Sequence, residues 1–85
     1  MAKIEIYTTS VCPYCVKAKG LLDIKGAAYE EIDVTGDDEA RIALVEKANG
    51  LRTVPQIFIN GQHIGGCDDL YALNDKGDLD PLLAA

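Results

Sequence analysis

The chain has 85 residues, of which 48% are hydrophobic and 26% charged, the balance of one small folded domain spanning 1–85 rather than of a disordered segment. Eight Lys and Arg against fourteen Asp and Glu leave a net charge of −6 with no cluster of cations, which argues against nucleic acid and against an anionic membrane surface as partners, since both are met by gathered Lys and Arg. The longest charge-free stretch, Thr53 to Cys67, falls short of the about 18 residues a membrane span needs and contains Pro55.

Lys3 to Thr8 (KIEIYT) alternates Ile4 and Ile6 with polar neighbours, the period of a strand. Pro13 then opens a helix, at a position where its missing N–H costs nothing. The run to Lys25 carries Cys15, Ala18, Leu21 and Leu22 at helical spacing, and Gly26 stops it. Gly20 inside it weakens the helix by about 1 kcal/mol relative to Ala. Ala28 to Val34 reads as a second strand through Tyr29, Ile32 and Val34, followed by a turn at Thr35-Gly36-Asp37. Asp37, Asp38 and Glu39 place negative charge at the start of a second helix, where the macrodipole favours it. Ile42, Val45 and Ala48, with Leu44 beside them, are its expected apolar face, and Asn49-Gly50 ends it. Gln56 to Ile59 is strand-like, Asn60-Gly61 is a strong hairpin signal, and Gln62 to Ile64 returns. After Gly65-Gly66 a third helix starts at Cys67 or Asp68 and carries Leu70, Tyr71 and Leu73; Asp78 to Leu83 reads as a short docking helix.

The order is β-α-β-α-β-β-α. A βαβ unit requires a parallel pair with a right-handed crossover, and the Asn-Gly hairpin requires an antiparallel one. The expected fold is therefore α/β, a mixed four-stranded sheet with helices on both faces, which is the thioredoxin-like arrangement.

Cys12-Pro13-Tyr14-Cys15 follows the first strand directly and occupies the first turn of the first helix. A thiol there meets unpaired N–H groups and the positive end of the dipole, so Cys12 is expected to titrate below an ordinary thiol. Cys15, one turn on, is better shielded and within reach of Cys12 for a disulfide. The pair therefore points to thiol–disulfide exchange, with Cys12 attacking and Cys15 resolving. Half of a zinc site is the other reading, but it wants four ligands, and Cys67 and His63 are not paired at ligand spacing. The first ten residues carry Glu5 inside their apolar alternation, unlike an export signal, so the expected compartment is the reducing cytoplasm, where an odd count of three Cys reads as catalytic rather than as a structural framework.

Two further motifs stand near the third strand and third helix. In Thr53-Val54-Pro55, Pro55 is either a plain terminator at strand entry or the second half of a cis bond. A cis bond would turn the Val54 N–H and C=O toward the extended backbone of a peptide-like substrate. In Gly65-Gly66-Cys67-Asp68-Asp69, the glycines allow close approach of another backbone, and the helix start offers N–H groups to a carboxylate. Asp68 or Asp69 could accept from an ammonium group; the alternative is a Gly-Gly turn followed by an Asp cap. Cys67 is expected to pack as a small residue at that helix start. His63 is a surface or half-buried strand residue, Tyr14 is exposed in the Cys-Cys turn, and Tyr7, Tyr29, Tyr71 and Phe58 pack in the core or at its edge. The acidic runs are solvated faces and helix caps.

With IEIYT, CPYC, TVPQIFINGQHIGG, CDDLYAL and LDPLL in that order over essentially the whole length, the chain resembles the dithiol glutaredoxins of the small bacterial glutaredoxin-3 type, in the thioredoxin-like superfamily. The resemblance implies strand order 2-1-3-4, a cis Pro55 and glutathione as co-substrate, with no metal and no tightly bound cofactor. It implies a glutathione groove made by Cys12, Pro13, Tyr14, Arg52, Thr53, Val54, Pro55, Gly66, Cys67, Asp68 and Asp69. In that groove the cysteinyl backbone pairs with Val54, the γ-glutamyl carboxylate meets the N–H groups of Cys67 and Asp68, and the ammonium faces Asp68 or Asp69. Disulfide-containing or glutathionylated proteins are the implied partners, the chain acting as a monomer. One position departs from the pattern: Thr9 stands where many glutaredoxins carry a Lys that faces the glycyl carboxylate, although Arg52 just before TVP is present. Two rivals are weighed by single residues. Relatives that bridge an iron–sulfur cluster usually have Gly or Ser where this chain has Pro13, and thioredoxins usually carry a Trp beside the first Cys, whereas this chain has no Trp.

Overall fold

The structure is a computed structural model and describes residues 2–84. Its elements are β1 (Ile4–Thr8), α1 (Pro13–Ile24), β2 (Glu30–Asp33), α2 (Asp38–Lys47), β3 (Gln56–Ile59), β4 (Gln62–Gly65), α3 (Cys67–Asp75) and α4 (Leu79–Ala84). The four strands form one sheet in the order β2-β1-β3-β4. β1 runs parallel to β2, while β3 is antiparallel to both β1 and β4. This is the thioredoxin-like α/β topology that the sequence implied.

Alternation explains how β1 and β3 divide the two faces. Ile4 and Ile6 of β1 lie opposite Ile59 and Ile57 of β3 and bury against α1, α3 and α4 through Ala18, Leu21, Leu22, Leu70 and Leu79. Phe58, one residue out of phase, points to the other face and packs with Leu44 and Ala48 of α2, with Tyr7 and Val54 at the margin. β3 is central and buried along its whole length. β2 is an edge strand, short and carrying Glu30, Glu31 and Asp33 outward, the composition that keeps an open edge from pairing with another chain.

Two expectations need correction. The second strand is shorter than the apolar run 28–34, since its ladder with β1 covers only Glu30 to Asp33. Val34 is nonetheless buried, and its N–H donates to the Thr8 carbonyl at 2.9 Å. The apolar face of α2 is also different: Leu44 and Ala48 face the sheet, whereas Ile42 is 63% exposed. At about 100° per residue, Ile42 lies roughly opposite Leu44 around the helix. A helix that touches the sheet along one narrow line cannot bury both.

The turns deliver three loops to one end of the sheet. Asn60 (φ 52°) and Gly61 (φ 82°) are both left-handed, as a two-residue hairpin of this hand requires. Lys3 N–H donates to the Asn60 side-chain oxygen at 2.8 Å and fastens the hairpin to the start of β1. On β4 the pairing skips Ile64, Ile57 facing Gly65 and Phe58 facing His63, a bulge that turns the chain into α3. The β1–α1 loop, the α2–β3 loop with its cis Val54–Pro55 bond and the β4–α3 junction thus come together. Among the described residues no helix is long and apolar enough to cross a membrane.

Candidate active site

Cys12 is the N-cap of α1, with extended backbone (φ −153°, ψ 93°), and Pro13 occupies the first helical position. The Cys15 N–H donates to Cys12 Sγ at 3.1 Å, so the sulfur takes the place a Ser or Asp oxygen would fill in an ordinary cap. Cys12 and Cys15 are joined as a disulfide with their Cα atoms 5.2 Å apart. The two sulfurs differ sharply in access. Cys15 is 1% exposed and packs beneath the helix, while Cys12 is half-buried at the surface end. Tyr14 is 60% and Val11 88% exposed on the rim.

The loop entering β3 lies beside this pair. The Val54 carbonyl oxygen is 3.8 Å from Cys12 Sγ. Between this loop, Tyr14 and the start of α3 runs a groove of about 350 Å³, lined by Tyr14, Leu51, Thr53, Val54, Pro55, Gln56, Gly66, Cys67, Asp68 and Asp69. That volume suits a small ligand of a few residues' size. Eight residues named from the sequence thus meet on one surface that opens beside the disulfide. Arg52 does not line it: its side chain is exposed and its carbonyl accepts from Arg41 Nη2 at 3.1 Å. Pro13 is exposed at the head of α1, outside the lining. Among the described residues the groove has no Lys or Arg in its walls.

Leu51 and Gln56 line the groove without having been singled out in the sequence. Leu51 is 45% exposed on the loop between α2 and β3. The signal for Gln56 was a polar residue opening an otherwise apolar strand, QIFI, directly after Pro55.

The start of α3 explains the paired glycines. Gly65 has φ 119°, and a Cβ there would run into the Asp69 side chain. The Asp69 carboxylate accepts from the Gly66 N–H at 3.0 Å, the reach-back of a residue three places into a helix. A Cβ at Gly66 would lie 3.4 Å from the Pro55 carbonyl oxygen, so this turn and the Pro55 loop pass close together. Asp69 thus caps the helix through Oδ2, and both it and Asp68 are exposed on the groove wall. Cys67 is free and buried, and burial, with the Asp68 charge adding to it, pushes its thiol up against a smaller opposing effect of Lys17. The Cys67 side chain packs in the same apolar cluster as Leu70.

A second polar cluster braces the end of β1, one residue before the loop to Cys12. Buried Thr8 donates its hydroxyl to Glu31 Oε2 at 2.8 Å, and Lys19 Nζ meets the same oxygen at 2.9 Å. The Lys19 and Thr8 hydrogen bonds hold the Glu31 carboxyl below the usual carboxylate range, and the same bond raises Lys19. β1, β2 and α1 are tied at one point beneath the active-site loop.

Comparison with known proteins agrees with this geometry. The sequence model of the Glutaredoxin family matches residues 4–64. The chain is 60% identical over 82 residues to a probable glutaredoxin of Synechocystis, covering 96% of this chain and 93% of that protein. It is 55% identical over 83 residues to glutaredoxin 3 of Escherichia coli, covering 98% and 99% of the two chains. Among solved structures, the buckwheat glutaredoxin–glutathione complex superposes with a TM-score of 0.91 at 36% identity over 98% of this chain and 77% of that one. The glutaredoxin of Brucella melitensis superposes at 0.87 with 53% identity, covering 98% and 89%.

Proposed function

Since the chain belongs to the glutaredoxin family and is a glutathione-dependent thiol–disulfide oxidoreductase with glutathione as its co-substrate, we propose that Cys12 is its attacking thiol, Cys15 its resolving thiol, and the groove beside them its glutathione site. The observation that carries this assignment is the contrast between the two sulfurs. Cys12 caps α1 at the surface and accepts the Cys15 N–H, whereas Cys15 is shut beneath the helix. Once the bridge is reduced, that N–H and the positive end of α1 favour the thiolate on Cys12.

In the one-thiol cycle, the Cys12 thiolate attacks the glutathione sulfur of a glutathionylated protein. A new S–S bond forms as the old one breaks, and the protein leaves as a thiolate that takes up a proton. A second glutathione thiolate then attacks the sulfur held on Cys12, freeing Cys12 and releasing oxidised glutathione. In the two-thiol cycle, Cys12 attacks a protein disulfide, Cys15 displaces the protein from the mixed disulfide, and two glutathiones reduce the Cys12–Cys15 bond. The groove reading places the cysteinyl backbone of glutathione along Val54 and the γ-glutamyl carboxylate on the free N–H groups at Cys67 and Asp68. Asp68 or Asp69, both exposed on the groove wall, is the partner for the ammonium. Thr53 and Tyr14 flank the sulfur end.

The partners on this reading are disulfide-containing or glutathionylated proteins, met by a monomer in the reducing cytoplasm, at a potential of about −200 to −230 mV. Turnover of a glutathione mixed disulfide coupled to glutathione reductase tests the reading. Activity is expected with glutathione and not with thioredoxin reductase as the source of electrons. The reverse preference would overturn it.

A further inference from the structure

Gln56 is polar yet 0% exposed, at the point where β3 meets the groove. Its amide is used at both ends. Nε2 donates to the Thr53 carbonyl at 3.0 Å and to the Thr53 hydroxyl at 3.2 Å. Oε1 lies 2.7 Å from His63 Nε2. A carbonyl oxygen only accepts, so the Thr53 carbonyl fixes which way the amide points: its NH2 toward Thr53 and its oxygen toward the imidazole. That in turn puts the ring proton on His63 Nε2. The bare Nδ1 then accepts from the Asn49 side-chain amide at 3.1 Å. Asn49, at φ 58°, begins the α2–β3 connection, and Thr53 stands near its end. One chain of hydrogen bonds, Asn49 to His63 to Gln56 to Thr53, therefore grips this loop at both ends. The His63 ring is itself held on Phe58, with centroids 5.1 Å apart.

The residue directly after the gripped segment is Val54, whose carbonyl lies 3.8 Å from Cys12 Sγ. We propose that Gln56 and His63 are positioning residues for the glutathione moiety: their directional hydrogen bonds hold the Thr53–Val54 backbone at the spacing from Cys12 that an incoming glutathione backbone needs. The inference rests on the groove reading above. It assigns a role in substrate handling to a buried amide and an imidazole that do not touch the reacting sulfurs. Without the pair, the Thr53 carbonyl and hydroxyl lose the Gln56 amide that braces them, and the loop samples positions that must be re-ordered on each binding event.

The test uses Gln56→Met, which keeps length and volume while removing both polar ends, His63→Phe, which keeps the ring on Phe58, and the double variant. Each single variant is expected to raise the KM for a glutathione mixed disulfide by about three- to tenfold, a shift of the size of one net buried hydrogen bond although each variant breaks more than one. The kcat and the rate of Cys12 alkylation in the reduced protein are expected to stay within about twofold. The double variant is expected to match the worse single variant rather than the product of the two, since both cut the same chain. A merely structural role would lower the thermal midpoint and leave the KM of the folded protein unchanged, and that result would overturn the proposal. Amide chemical shifts of the unsubstituted, reduced protein titrated with S-methylglutathione separate the inference from the reading beneath it. A response at Val54 with unchanged KM in Gln56→Met would sink the positioning role alone. No response at Val54 would remove the groove reading and the positioning role with it.

Discussion

The two faces of the sheet are built differently. On one side Ile4, Ile6, Ile57 and Ile59 meet Leu21, Leu22, Leu70 and Leu79 in a broad apolar layer shared by three helices. On the other, among the described residues, only Leu44 of α2 and Ala48 at its C-cap are buried against Phe58. The thin side is completed by polar and cationic contacts. Lys47 Nζ sits 4.5 Å from the Phe58 ring centroid and 5.2 Å from that of Tyr7, and donates to the Tyr7 hydroxyl at 3.2 Å. The groove-lining loop Leu51–Pro55 hangs from this thin side, between α2 and β3. The contrast teaches that stability and substrate handling draw on separate parts of an 85-residue chain. The thick face holds the fold, and the thin face lets a loop be placed by directional bonds.

Substitutions can break this contrast. The largest effect is expected from Leu22→Ala on the thick face, where the residue is fully buried. A loss of about 2–5 kcal/mol is expected, a large share of what a small domain has. Urea unfolding reads it, while Cys12 in the fraction still folded should alkylate at the unsubstituted rate. Lys47→Met on the thin face removes a cation from two rings at the cost of about 0.5–1 kcal/mol. If it proved as damaging as Leu22→Ala, the two faces would not differ as described.

Glu31→Gln sharpens the comparison from a third place, the brace under the active-site loop. The Lys19–Glu31 pair is partly exposed, with side chains 26% and 39% accessible, so about 0.2–1 kcal/mol is expected at neutral pH. The folded state holds the Glu31 carboxyl below its ordinary range. Its contribution is therefore present above the unfolded-state value and lost as pH falls through the folded one. The stability gap between Glu31→Gln and the unsubstituted chain should close on acidification, and a gap that widened there would contradict the pairing. The smallest effect belongs to Ile42→Lys, within about 0.5 kcal/mol, because that side chain lies on the outer side of α2. A loss above 2 kcal/mol would mean that Ile42 is covered after all.

The same contrast decided what could be read from the sequence. Period-2 alternation in β1 and β3 and the spacing of Ala18, Leu21 and Leu22 belong to the thick face, where burial imposes a clear pattern. On the thin face the pattern is ambiguous: α2 buries one line of residues, so Ile42 looked like core by composition but lies on the wrong side of the helix. At the site, Cys12, Cys15, the Thr53-Val54-Pro55 segment and the Gly65-Gly66 turn were legible because each is a local signal with a fixed meaning. Gln56 was not, since its role depends not only on nearby Thr53 but on His63 of β4 and, through it, Asn49. The capping role of Asp69 likewise needed its carboxylate to be seen on the Gly66 N–H.

The central claim is that the cap position makes Cys12 the attacking thiol and the buried Cys15 only the resolving one. It is tested most directly by assaying Cys12→Ser and Cys15→Ser on a glutathione mixed disulfide and on a protein disulfide, side by side. Cys15→Ser is expected to keep turnover of the mixed disulfide and to stall on the protein disulfide as a trapped covalent adduct, while Cys12→Ser loses both. Retained activity in Cys12→Ser with loss of both in Cys15→Ser would reverse the roles and contradict the account.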